Sequence, residues 1–220
     1  MASDPPLSFN QAVRGVTEFI EVAIHTILYV RQVYPADVFV RRKKYNTPVF
    51  QSRHPALNQY ISGATKAVSG ELALGNVDKV IVVIKNKEEE PLERFIFAVQ
   101  NMIQVEAFNK ETSVQDAMTP SVLGHYFRSF LVKLTMLESQ LSPYPLGDEL
   151  SFSVLIELKD DKPPSATEGK NPPAWIPAST HHTTAGTSDR AELHMLRTVD
   201  TGIFSVSSAM SCPRYPLTHE

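Results

Sequence analysis

A chain of 220 residues is long enough for one domain with a sizeable core, and 42 % hydrophobic against 20 % charged residues fits an ordinary globular protein. Its 21 Lys and Arg against 24 Asp and Glu leave a mild acidic excess, which disfavours strong direct binding of nucleic acid. The single cysteine, Cys212, excludes an internal disulfide. The opening MASDPPLSFN lacks the charged and apolar regions of a secretory leader, and no apolar run approaches the roughly 20 residues of a membrane helix. The expectation is a soluble, intracellular chain.

The first predicted element is an amphipathic helix from about Phe9 to Tyr34. Ser8 and Gln11 form a capping box, and Phe9, Val13, Val16, Ile20, Ile24 and Ile27 follow the 3.6-residue period. Phe19, Val22 and Leu28 widen the apolar face, so this helix should be covered on more than one side. An extended stretch, 38–45, carries the basic run Arg41–Arg42–Lys43–Lys44. Four like charges there read mainly as a solvated edge that resists strand aggregation, and only secondarily as a contact with DNA. A second helix opens at Pro55, carries the stripe Leu57, Ile61, Ala64, Val68 and Leu72, and is capped by Gly75.

The period then changes. VIVVI within 77–85 is the β-branched run of a strand buried on both faces, and Phe95, Phe97 and Val99 alternate in 92–100, so a hairpin turns at 86–90. A third helix, starting after Ser113 or Thr119, puts Leu123, Phe127, Phe130, Leu134, Leu137 and Leu141 on one face. A strand at 151–158 follows. Three helices against an antiparallel sheet make an α+β core spanning 1–158. Residues 159–220 differ in kind. The stretch 159–187 holds Pro163, Pro164, Pro172, Pro173 and Pro177 among polar residues, yet it contains Trp175, and short strands are expected at 193–199 and 203–210. A disordered tail has little use for a tryptophan and two β-patterned segments, so this tail should dock.

Catalytic and metal chemistry find little support. Glu21 and His25 lie one helical turn apart, but no second Glu/His pair completes a carboxylate-bridged site. His181–His182 lack the spaced partners of a zinc site, Cys212 has no nucleophile signature, and there is no Gly-rich phosphate loop or GxSxG. No cofactor, metal or enzyme activity is expected.

Six segments carry a resemblance: EFIEVAIHTILYVRQVYP (18–35), RKKYNTPV (42–49), HPALNQYI (54–61), VDKVIVVI (77–84), RSFLVKL (128–134) and AWIPA (174–178). Together they resemble the HORMA-domain family, and within it the branch of accessory subunits of translesion DNA polymerase zeta. The resemblance implies a core plus a C-terminal safety belt that re-docks as strands and closes over a Pro-containing peptide of the polymerase catalytic subunit. Tyr60 and Trp175 match the aromatic pair that packs on such a peptide, and Pro177 stands where an aliphatic residue is usual. Leu193 matches the docking site for the REV-one-type inserter polymerase, where Ser207 and Ala209 replace larger side chains. Arg128 and Lys133 match the surface through which these domains pair with a second HORMA domain. The resemblance also implies a nuclear adaptor in DNA damage tolerance. A spindle-checkpoint or chromosome-axis HORMA protein with another client is the alternative.

Overall fold

The computed structural model describes residues 4–101, 109–136, 141, 144, 149–159, 164–165, 175–187 and 191–213. Helix α1 (Phe9–Val30) starts with the reciprocal cap that the sequence suggests. Gln11 N–H donates to the Ser8 hydroxyl at 3.2 Å, and Ser8 N–H donates to the Gln11 side chain at 2.9 Å. The helix ends short of Tyr34, since Gln32 takes left-handed backbone with φ 51°. It is the central helix: Phe19 stacks on Phe127 with centroids 4.4 Å apart and meets Phe97 edge-on at 6.0 Å. At its C-terminal end the buried Arg31 guanidinium makes two hydrogen bonds, of 2.7 and 2.9 Å, to Glu93.

The basic stretch turns out to be half of a two-stranded hairpin, β1 (Phe39–Lys44) with β2 (Thr47–Ser52). The turn residues Tyr45 and Asn46 both have positive φ, which a tight hairpin requires. No glycine advertises this turn and Pro48 sits inside β2, so the second strand was hidden in the sequence. Helix α2 (Pro55–Leu74) begins and ends as expected, with Gly75 left-handed at φ 74°. Helix α3 (Pro120–Met136) starts at the Thr119–Pro120 alternative, where the Thr119 hydroxyl accepts the Val122 N–H at 3.4 Å. Leu137 of its expected stripe lies outside the described residues.

Strands β3 (Val77–Lys85), β4 (Pro91–Asn101), β5 (Ser151–Leu158), β6 (Ala191–Asp200) and β7 (Phe204–Pro213) form one antiparallel sheet in the order β5-β3-β4-β7-β6. One face, with Val80, Val82, Ile84, Phe95 and Phe97, joins the three helices in the main core. The other face carries a smaller buried cluster, Ile81, Val83, Ile96 and Leu155. This explains why VIVVI reads as continuous: both sides of β3 are covered.

The two C-terminal strands are not laid on a finished core. Leu196, Val199, Ile203, Phe204, Val206 and Met210 are buried in the same cluster as the helices, and β7 pairs with β4 from Phe204 to Ser211. A core complete at Leu158 would leave that side of β4 open. Of the Pro-rich stretch, Pro163, Pro172 and Pro173 lie outside the described residues.

Candidate functional site

Strand β5 has β3 on one side and, among the described residues, no strand on the other. Backbone N–H groups alternate sideways along a strand, so a free edge offers every second one. Val154 points its N–H away from β3, to the phenol oxygen of Tyr60 at 3.3 Å. The same period places the amides of Phe152 and Ile156 on that outer side.

Beside this edge lies a groove of about 450 Å³ lined by Tyr34, Val38, His54, Ala56, Leu57, Tyr60 and Phe152. Phe152 forms its centre, met edge-on by Tyr60 at 5.4 Å and by Tyr34 at 6.2 Å. Burial, and then the neighbouring Tyr60, hold the Tyr34 hydroxyl above its ordinary pKa. Local sequence explains the lining. The turn that follows α1 delivers Tyr34. His54 caps α2 by accepting the Leu57 N–H at 3.4 Å, and His54, Leu57 and Tyr60, three residues apart, fall along one side of that helix. Tyr60 stays 47 % exposed. The groove is thus an aromatic cleft next to outward backbone donors of β5 that no described strand pairs, suited to an extended segment with apolar or proline side chains.

The described parts of the C-terminal segment contact both faces of the sheet. Ser165 hydrogen-bonds Glu71 on α2, and Trp175 packs, half-buried, on the margin of the helix-side core. Residues 180–187, two 3-10 turns, then bond to Arg94 and Glu157. By strand alternation those side chains belong to the opposite face of the sheet, with Ile96 and Leu155. Trp175 packs against the same helix-side core cluster, but it does not line the groove. Pro177 is exposed and is also absent from that lining. Sequence reasoning missed Tyr34, His54, Leu57 and Phe152. The threefold spacing within HPALNQYI was the signal for two of them.

The other singled-out residues are elsewhere. Leu193 (61 % exposed) and Met195 (60 %) face away from the helices on β6, opposite Ser211 and Ala209 of β7, and the half-buried Ser207 shares that face. Met195 was not singled out, although the LHML alternation pairs it with Leu193. Arg128 is exposed on α3. Lys133, also exposed on α3, donates to the Leu196 carbonyl at 2.5 Å, which ties α3 to β6. His25 is buried, and burial pushes its pKa down to about 4. Its Nδ1 accepts the Ser52 N–H at 3.4 Å. Among the described residues no three His, Cys, Asp or Glu side chains group as metal ligands, and no helix is long and apolar enough to cross a membrane.

Residues 13–204 match the HORMA domain family. The chain is 39 % identical over 158 residues to the Mitotic spindle assembly checkpoint protein MAD2B of Gallus gallus, covering 70 % of this chain and 69 % of that one. It is 34 % identical to the DNA polymerase zeta processivity subunit of Schizosaccharomyces pombe, covering 74 % and 76 %. In fold it is similar to C. elegans HTP-2 bound to the HIM-3 closure motif, with a TM-score of 0.72 and 12 % identity over 93 % of this chain and 91 % of that one.

Proposed function

The chain belongs to the HORMA-domain family, and from that premise we propose that it is an accessory subunit of DNA polymerase zeta which holds a short peptide of the catalytic subunit. The peptide adds as a strand to the outer edge of β5, with its apolar side chains in the groove of Tyr34, Tyr60 and Phe152 and the segment around Trp175 closing over it. The observation that carries this reading is the edge of β5, paired by no described strand, beside an aromatic cleft. Backbone hydrogen bonds along such an edge supply affinity, and the cleft supplies sequence preference. Relatives named as polymerase zeta processivity subunits support the choice of client, and a HORMA structure bound to a closure motif supports the mode of capture.

The exposed pair Leu193 and Met195, with Ala209 and Ser207 behind it, is the surface for a second partner, a REV-one-type polymerase. Arg128 on α3 is the contact for pairing with another HORMA domain. On this reading the protein works in the nucleus, in damage tolerance. It is an adaptor, with binding as its chemistry.

Binding of the full-length protein to overlapping peptides tiled along the polymerase zeta catalytic subunit of the same organism tests the proposal. One Pro-containing segment should bind, and Tyr60→Ala should weaken it. Failure of every segment to bind, together with capture of a checkpoint or chromosome-axis protein from extract, would overturn the choice of client.

A further inference from the structure

The described parts of the C-terminal segment are fastened by polar contacts at two places, one on each face of the sheet. Upstream, the fully buried Glu71 accepts the Ser165 N–H at 2.8 Å and the Ser165 hydroxyl at 2.5 Å. Its other oxygen takes the Asn76 side-chain amide at 3.2 Å. Downstream, the Arg94 guanidinium donates to three carbonyls of the 3-10 turns: His182 at 3.3 Å, Gly186 at 3.2 Å, and His181. Glu157 accepts the Thr184 N–H at 2.6 Å, and His182 Nε2 donates to the Glu89 carbonyl at 2.9 Å.

Arg94 is buried and, among the described residues, forms no ion pair. Burial holds its pKa below the usual guanidinium range. A buried cation is tolerated only where acceptors replace its lost water, and the three it has all belong to residues 181–186. Everything Arg94 gains therefore depends on that turn being seated. When the turn lifts, all three of these charge-assisted bonds break together, and that loss is the cost of opening. The turn itself buries no side chain fully; Ile176 is 78 % exposed, and residues 177–181 are exposed as well. Strand β7, by contrast, is held by a full ladder to β4 and by buried Phe204, Val206 and Met210. Local opening follows the weakest anchoring, so 180–187 can detach while β7 stays paired.

We propose that Arg94, with Glu157, is the latch of the belt: positioning residues that set how long a captured peptide is held, with entry and exit occurring by release of 180–187. This rests on the peptide-trapping reading above. The test uses full-length protein, the tightest peptide of the tiled set labelled with fluorescein, and the variants Arg94→Ala and Arg94→Lys. Dissociation from Arg94→Ala should be about tenfold faster or more, the loss expected of charge-assisted hydrogen bonds, with Arg94→Lys in between. In the free protein, amide hydrogen exchange over 176–187 should rise in Arg94→Ala and stay unchanged over 204–213. An unaltered dissociation rate, or exchange rising equally in β7, would overturn the latch. Wild-type protein that holds no peptide at all would overturn the trapping reading instead, and the exchange comparison would still decide whether Arg94 fastens the turn.

Discussion

The Val154 N–H donates to the Tyr60 hydroxyl at 3.3 Å, joining β5 to α2 on the side of β5 where no described strand pairs. A peptide strand added there would claim that N–H for its own carbonyl. Tyr60 is therefore both a wall of the cleft and a competitor for the donor.

Tyr60→Phe and Tyr60→Ala should consequently act in opposite directions. The phenylalanine keeps the ring against Phe152 and removes the competitor, so peptide affinity should hold or tighten by up to about 1 kcal/mol. The alanine removes the ring and should weaken binding by about 1–2 kcal/mol or more. Titration calorimetry separates the two; equal losses from both variants would mean that the hydroxyl contacts the client.

If the segment around Trp175 closes over the peptide, as proposed, Trp175→Ala should cost at least about 2 kcal/mol of peptide affinity even though Trp175 does not line the groove in the free protein. Free-protein stability should fall by less, since Trp175 sits half-buried at the margin of the core. Thermal melts alongside the titrations check both halves. Unchanged affinity with a large drop in melting temperature would make Trp175 a packing residue only.

Ile203→Asp tests the shared core. Ile203 is fully buried in the turn between β6 and β7, within the cluster that contains the three helices. An unpaired carboxylate there should cost about 3–5 kcal/mol of global stability. Removing 159–220 should leave a chain that does not fold cooperatively, because it takes Phe204, Val206 and Met210 from that cluster. Urea unfolding followed by circular dichroism reads both. A truncated chain with a sharp, native-like transition would show the core to be separable.

Acid should loosen the fold in two successive windows. His25 is held neutral by burial, its pKa pushed from 6.5 down to about 4, so the unfolded chain binds the extra proton first. Stability should then fall as pH drops from about 6.5 towards 4, by up to about 3 kcal/mol. Burial alone would raise the Glu157 carboxyl, but Lys79 and the Thr184 amide outweigh it and hold the pKa low. Its contribution is present above the ordinary carboxylate range and is lost as pH falls through its lowered value. Glu21, raised by burial and then by Glu18, runs the other way. Melting temperatures between pH 7 and 4 should fall less steeply in His25→Gln than in wild type; parallel curves would contradict the assignment.

The helices and the central hairpin were legible because their patterns are local: the Ser8 box, the apolar stripes, VIVVI and the Gly75 cap each act within a few residues. Hairpin β1–β2 was not, because Tyr45 and Asn46 reach positive φ without glycine. The site divided along the same line. Tyr60 stood out through its neighbours in sequence and lines the cleft, Trp175 stood out likewise but lies outside its lining, and Phe152 and Tyr34 join the cleft only when β5 comes to lie beside α2. Arg94 gave no signal, since its partners are carbonyls more than eighty positions away in sequence. The buried pair of Arg31 and Glu93 was silent for the same reason.

The central claim is that the client becomes a strand on β5. Residue-resolved amide hydrogen exchange by NMR, with and without the bound tiled peptide, tests it most directly. Slowed exchange at Phe152, Val154 and Ile156, the outward amides of β5, with little change at the already paired Ser153 and Leu155, is the predicted result. Protection confined to the β6 edge, or spread evenly over the sheet with no effect at Val154, would contradict it.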